Sequence, residues 1–447
     1  MTAGGRGQAV GEPHNWQRDG VQVVSYWVGS LVPMAMALIG VAVFTRLVDV
    51  EDYGRFMLVT AATGIVITVL AGWGEYAVLR MVPEVDRAAD RAAVICAVLQ
   101  AVLRPAMIAA GGVAVLGLVA IWAAWLPGVF RAYLLPAVCL LVVRPAFQIL
   151  RAVYQASGDA PRYAAYEVIQ AVLAVALGAL LVWLLRLGMA GRLWAEVTVL
   201  GALSFAAARS SWSGGNTAAP RGEGREEEET VRRALRVGLP VVAWFASLSL
   251  LTGLERGILR VLAGDGAVGS YGAIYGLVER TSTVTFGPLL MVSFPRIVKA
   301  FVSHGSAAAG KVLGHAVAVF GAVAFVYVAL GVAFGGMAVR IIVPDSYLGG
   351  LGVIPWLLVA FVIWHFAMYA HKGLELGERM WTMLGAIAVA VCVSVLGCVL
   401  LVPRFGIVGV GIARVLASLA YLAVVWRPSQ AIAPWVFKAV PSGGRLG

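Results

Sequence analysis

A chain of 447 residues that is 61% hydrophobic and only 13% charged, with a mean hydropathy of +0.89, exceeds the apolar content of soluble domains, about 45–50%. An ordinary soluble enzyme is thereby excluded, and the formal net charge of +11 requires no nucleic acid, because basic cytoplasmic loops and their attraction to anionic lipid account for it. The apolar residues fall in runs of about 20, the length that crosses a hydrocarbon core of about 30 Å as a helix. The fold expected is an all-α polytopic membrane protein. Barrel strands are excluded because the runs do not alternate apolar and polar residues.

The first 22 residues have no short apolar core ending in a small-residue cleavage site and read as a retained cytoplasmic tail. Six runs follow: Val23 to Phe44, Phe56 to Leu79, Val102 to Trp125, Tyr133 to Tyr154, Tyr163 to Leu185 and Met189 to Ala208. Arg104-Pro105 cuts into the third, which places Ala92 to Leu103 in the interface, and Arg192 and Glu196 interrupt the sixth. Residues 209–236 break the composition: a Gly-, Ser- and Pro-containing linker passes into a charged helical extension, with Glu228–Arg232 and Glu229–Arg233 spaced for pairing at i,i+4. Six more runs then span Val237 to Leu259, Ser270 to Phe294, Val312 to Phe334, Leu351 to Ala370, Trp381 to Val402 and Ile407 to Trp426, before a tail at 427–447. The domains expected are therefore two six-helix bundles, 23–208 and 237–426, joined by a cytoplasmic linker. Arg and Lys concentrate on the side of the tails and the linker, which puts both termini in the cytoplasm. Cys96, Cys139, Cys392 and Cys398 show no paired spacing and read as small packed residues rather than metal ligands.

The halves carry matching markers. Tyr53-Gly54 and Tyr271-Gly272 are 271 − 53 = 218 positions apart, and Gly191 and Gly409 keep the same offset. An internal duplication follows. Each copy has an even number of spans, so the copies insert the same way up, related by an axis along the membrane normal with a cleft between them. Both Tyr-Gly pairs read as tight loop closures at the outer helix ends.

An ionisable side chain at mid-bilayer costs at least about 2.5–3.5 kcal/mol, so such residues face a cavity or a partner. At depth the sequence offers Arg144, Arg280 beside Glu279, and Arg414; nearer the cytoplasmic end are Glu75, Arg80, Arg104 and Glu167. Guanidinium forks grip phosphate with paired hydrogen bonds, so Arg144, Arg280, Arg104, Arg414 and Arg80 are the candidate contacts for an anionic cargo. Helix bracing is the competing role for Arg144 and Arg414. Glu75, Glu167 and Glu279 are the candidate proton or sodium sites, against the alternative that they pair with neighbouring Arg. There is no phosphate-binding loop with its lysine, since the Gly-rich AGDGAVGSYG lacks one, and hence no sign of an ATPase. Isolated Asp265, Asp345 and His304 in short outer loops offer no catalytic cluster.

Ser25 to Glu84, with its R-L-x-x-x-x-x-Y-G turn between two apolar spans, resembles the N-terminal signature of the polysaccharide-export flippases. Tyr271 to Ile297 is similar to the eighth span of that family and Arg404 to Val425 to its last. The resemblance implies membership of the multidrug/oligosaccharidyl-lipid/polysaccharide exporter superfamily, in its O-antigen and polysaccharide flippase branch. It implies a protein of the inner membrane that flips a polyprenyl-pyrophosphate oligosaccharide to the outer leaflet by alternating access. The cationic cleft would form chiefly from the first, second, seventh and eighth spans. A monomer without cofactor is implied, with a polysaccharide polymerase as partner. The relatives leave two alternatives: an ion-coupled multidrug exporter, and a flippase of the peptidoglycan lipid precursor.

Overall fold

The computed structural model describes residues 16–85, 88–212 and 224–434, and helices account for nearly all of them. In the first half these are α1 (Trp16–Leu47), α2 (Val50–Met81), α3 (Ala88–Trp122), α4 (Arg131–Ala156), α5 (Ala160–Leu184) and α6 (Gly188–Trp212). A helical stretch from Gly224 to Ile342 follows, and Gly264 (φ 85°) and Gly305 (φ 79°) break it into α7 (224–263), α8 (265–304) and α9 (306–342). Left-handed backbone of this kind is accessible to glycine at little cost. After a 3-10 segment, Asp345–Val353, come α10 (Ile354–Ala370), the short turn Lys372–Leu376, α11 (Met380–Phe405) and α12 (Ile407–Ile432).

Successive spans reverse direction, so the chain has two faces. The termini face holds the start of α1, the end of α12 and the α2–α3, α4–α5, α8–α9 and α10–α11 connections. The far face holds the α1–α2, α3–α4, α5–α6, α7–α8, α9–α10 and α11–α12 connections. In the first half α1 packs on α5, α5 on α6, and α2, α3 and α6 surround α4. In the second half α11 packs on α12, α12 on α10, and α10 on the 224–342 stretch. These are two lobes with the same internal plan. Wide apolar surfaces face outward, with Ile108 76% and Leu116 70% exposed on α3; such helix faces are stable only in lipid.

Three expectations are corrected. Arg104-Pro105 does not cut the third span: α3 runs unbroken through Pro105, because losing one backbone donor bends a helix without ending it when α4 and α2 support it. Arg192 and Glu196 do not interrupt α6, since they pair with each other along it at 3.2 Å. Arg232 and Glu228 do pair at 2.8 Å, but Arg233 turns from Glu229 to Glu84 at the end of α2, 2.6 Å away. Residues 213–223 of the linker lie outside the described residues, as do 1–15 and 435–447 of the tails; the helices reach past the expected bundle limits, α1 from Trp16 and α12 to Ile432.

The Tyr-Gly pairs are not loops either. Asp49 caps α2 by accepting from the Asp52 N–H at 2.6 Å, so Tyr53-Gly54 already belongs to the first turns of α2, and Tyr271-Gly272 lies within α8. Their glycines mark where the lobes cross. A Cβ at Gly54 would strike the Asp265 carbonyl, one at Gly269 would strike that of Val50, and one at Gly272 would lie 2.7 Å from Met57 Cγ. Helix backbones can approach this closely only where side chains are missing.

A side chain at the crossing should therefore part the lobes on the far face. Val50 and Gly266 face each other there, with a Gly266 Cβ 3.5 Å from a Val50 methyl, so Val50→Cys with Gly266→Cys should cross-link on oxidation. Adding Gly269→Val should lower the yield severalfold, as read by gel shift of the intact chain.

Candidate functional site between the lobes

The seam is closed at the far face by polar contacts from both lobes. Arg55 of α2 and Arg260 of α7 share the Asp265 carboxylate at 3.0 and 2.9 Å. The Tyr347 hydroxyl donates to the Val48 and Asp49 carbonyls at 3.2 and 3.1 Å, and its ring meets Tyr53 edge-on with 5.7 Å between centroids. Arg46 donates to the Ile341 carbonyl at 2.8 Å and to that of Ile342, both at the end of α9. Arg260 lies 4.5 Å above the Phe130 ring. Side-chain contact between the lobes on the termini face includes the exposed Arg233–Glu84 pair.

Behind the far-face contacts, arginines gather. Arg280 of α8 and Arg256 of α7 come from the second lobe and Arg192 of α6 from the first, where it lies 5.8 Å over the Phe44 ring. Arg280 is half-buried and donates to the Gly276 carbonyl of its own helix at 3.2 Å. Arg256 rests 5.5 Å over the Tyr275 ring, and its buried Nε has no hydrogen-bond partner. Neither pairs with a carboxylate among the described residues: Glu279 instead accepts from the Tyr275 hydroxyl at 3.3 Å. In the first lobe Arg144 of α4 and Arg192 hold the two oxygens of buried Glu196 at 2.7 and 3.2 Å, and Arg144 remains 45% exposed. A half-exposed guanidinium in mid-helix is costly against lipid, so a polar surrounding is favoured for it.

The other candidates separate from this group. Arg414 of α12 is buried and bound to both oxygens of Glu255 at 3.1 and 3.0 Å and to the Tyr275 hydroxyl at 2.7 Å. Ser394 and Tyr271 also donate to Glu255, at 2.7 and 3.3 Å. This network fits the bracing role for Arg414. Arg104 is exposed on α3 and donates to Gln100 one turn away at 3.1 Å; Arg80 is exposed in the last turn of α2. Glu75 and Glu167 are brought together, but by Arg151, which bridges them from α4 and lies 5.8 Å over the Tyr163 ring. Two carboxylates on one guanidinium leave the trio one negative charge in excess. No group of three or more His, Cys, Asp or Glu that could hold a metal occurs among the described residues.

Sequence reasoning missed Arg151, Arg192, Arg256 and Glu255 as members of these groups. Arg151 stands near the end of its apolar run and so reads as a loop-side charge. The signal available was position: Arg151 still lies inside α4, one helical turn before Tyr154, and Glu255 and Arg256 stand side by side within the apolar run 237–259.

A family model described as polysaccharide biosynthesis protein matches residues 21–301. Among solved structures, the inward-facing conformation of a multidrug resistance MATE family transporter of the MOP superfamily is similar at TM-score 0.70 and 15% identity, covering 92% of this chain and 97% of that one. The lipid II flippase MurJ, in an inward closed conformation, is similar at TM-score 0.64 and 9% identity, covering 91% and 86%. A MOP superfamily transporter from Pyrococcus furiosus, whose reversed binding-pocket polarity suggests a different function, gives TM-score 0.61 and 15% identity over 92% and 94%. No curated protein matches the sequence significantly.

The two kinds of arginine should behave differently on removal. Arg414→Ala leaves Glu255 buried without its counter-ion, which costs about 3–5 kcal/mol, and Glu255→Gln added to it should restore part of the loss. Arg280→Ala leaves no orphaned carboxylate and should shift the detergent-solubilised melting temperature little. Thermal unfolding of the three variants beside the parent chain reads both outcomes.

Proposed function

Because the chain belongs to the polysaccharide biosynthesis protein family and has the two-lobe fold of the MOP transporters, we propose that it is a flippase for a polyprenyl-pyrophosphate oligosaccharide. In this reading the protein lies in the inner membrane with both termini in the cytoplasm, and carries its cargo from the cytoplasmic to the outer leaflet for surface polysaccharide export. The observation that carries the proposal is that Arg256 and Arg280, on the helices α7 and α8 that pack on α2 of the first lobe, have no carboxylate partner among the described residues. Unneutralised guanidinium groups in a water-poor seam favour an anion and repel a cation. A pyrophosphate supplies the negative oxygens that such forks bind in pairs. Arg144 adds a further donor from the opposite lobe.

The direction of transport is part of the proposal: the polar contacts of Asp265, Tyr347 and Arg46 close the far face, which favours loading from the termini face, where the cargo is made. Transport then requires the far-face contacts to part while the lobes close below. Moving negative charge outward across an inside-negative membrane is favourable by about 2.3 kcal/mol per charge per 100 mV, so the potential supplies drive without an ATPase. The surplus negative charge of Glu75, Arg151 and Glu167 makes this trio the proposed site of any proton or sodium coupling, with Glu279 as the candidate in the second lobe. Arg104 and Arg80 stay in the proposal as entry-side contacts that draw the headgroup in.

Outward flipping of a polyprenyl-pyrophosphate oligosaccharide by the purified chain in vesicles is the test. Losing a hydrogen bond to a charged group is worth about 1.5–3 kcal/mol, so Arg256→Ala and Arg280→Ala should each slow flipping by about ten- to a hundredfold. Export of a cationic dye under an ion gradient, with no flipping by the parent chain, would overturn the reading in favour of a multidrug exporter.

A further inference from the structure

The unequal exposure around Glu196 points to a role that the binding of an anion alone does not demand. Glu196 is 8% exposed and is held by two guanidinium groups, Arg192 (17% exposed) and Arg144 (45% exposed). Arg192 is fixed: it is one turn from Glu196 on the same helix, lies 5.8 Å over the Phe44 ring and packs against Gly178. Arg144 comes from another helix, α4, and nearly half of its side chain is exposed. Removing a lone partner from a buried carboxylate is strongly destabilising. Here one partner can leave and the carboxylate still keeps the other.

We propose that Glu196 is a resident anion that holds Arg144 until a phosphate of the cargo replaces it. Binding is thereby an exchange of one anion for another at Arg144, with Arg192 keeping Glu196 neutralised throughout. The exchange loosens the α4–α6 tie inside the first lobe only when cargo is present, which makes movement of the lobe conditional on loading. The second lobe supplies the contrast. In the register of the repeat Arg414 stands 414 − 196 = 218 positions after Glu196, and it too forms a buried ion pair. That pair is 9% and 1% exposed, with Ser394, Tyr271 and Tyr275 closing every side. One lobe has a permanent tie and the other an exchangeable one.

This inference rests on the flippase reading, and the experiment separates the two. Farnesyl pyrophosphate binding to the full chain in nanodiscs is measured beside the flipping rate in vesicles, for the parent, Glu196→Gln, Arg144→Ala and the double variant. Glu196→Gln should bind the probe about tenfold more tightly, one decade of the dissociation constant, yet flip more slowly, because Arg144 is no longer released by exchange. In the Arg144→Ala background the same substitution should change affinity little. Glu196→Asp, which keeps the charge but withdraws it from Arg144, should fall between parent and Gln and covers the case in which the Gln variant does not fold. Equal or weaker binding by Glu196→Gln, with Arg144→Ala still weakened, overturns the exchange and leaves the flippase standing. No binding of the probe by any form, parent included, overturns both.

Discussion

A charge carried into a hydrocarbon core must find a partner or water, and that constraint sets the arrangement of this protein more than any single apolar contact. Where Glu255 meets Arg414, the demand is met inside one lobe and ties α7 to α12. Where Arg151 bridges Glu75 and Glu167, it joins α2, α4 and α5. Where Arg256 and Arg280 find no carboxylate among the described residues, the charge is left without a counter-ion of its own. Each lobe is braced by the charges it satisfies, and the seam is defined by those left over.

The apolar packing follows the same division. One cluster crosses the seam near the far face, where Phe44, Tyr53 and Phe56 of the first lobe meet Tyr271, Tyr275 and Tyr347 of the second. A separate cluster on the termini side gathers Ala77, Val98 and Ile149 around α2 and includes Val242 of α7. Helix α2 therefore belongs to both lobes along its length. Tyr347 of the far-face cluster also supplies a hydroxyl, which closes the seam by donating to the Val48 and Asp49 carbonyls.

Much of the helix plan was legible in the sequence because a helix in lipid must satisfy its own backbone and must be long enough to cross. Apolar run length therefore located the spans of both lobes, and the offset between the Tyr-Gly pairs revealed the duplication. Reading the Tyr-Gly pairs as loops failed because Gly and Asp signal turns in soluble chains, whereas here missing side chains let two helices touch. Reading Arg104-Pro105 and Arg192 as breaks failed for a related reason: neighbouring helices and an i,i+4 partner supply what the local sequence lacks. The site was legible in part. Arg280 and Arg144 stood out by depth, but Arg151 with Glu75 and Glu167, and Arg414 with Glu255, pair across 16 to 159 positions. No spacing rule encodes such distances.

The crossing of α2 and α8 joins the two copies of one motif to each other, Gly54 beside Gly269 and Gly272 beside Met57. Had the halves been separate, identical molecules, that crossing would lie on the two-fold axis of a dimer, and every substitution would appear on both sides at once. Such a dimer could never set Glu196 in one half against Arg414 in the other. Joined in a single chain, the halves keep the axis where their backbones touch and are released from it everywhere else, so opposite charges can occupy equivalent places and give a symmetric scaffold a preferred direction.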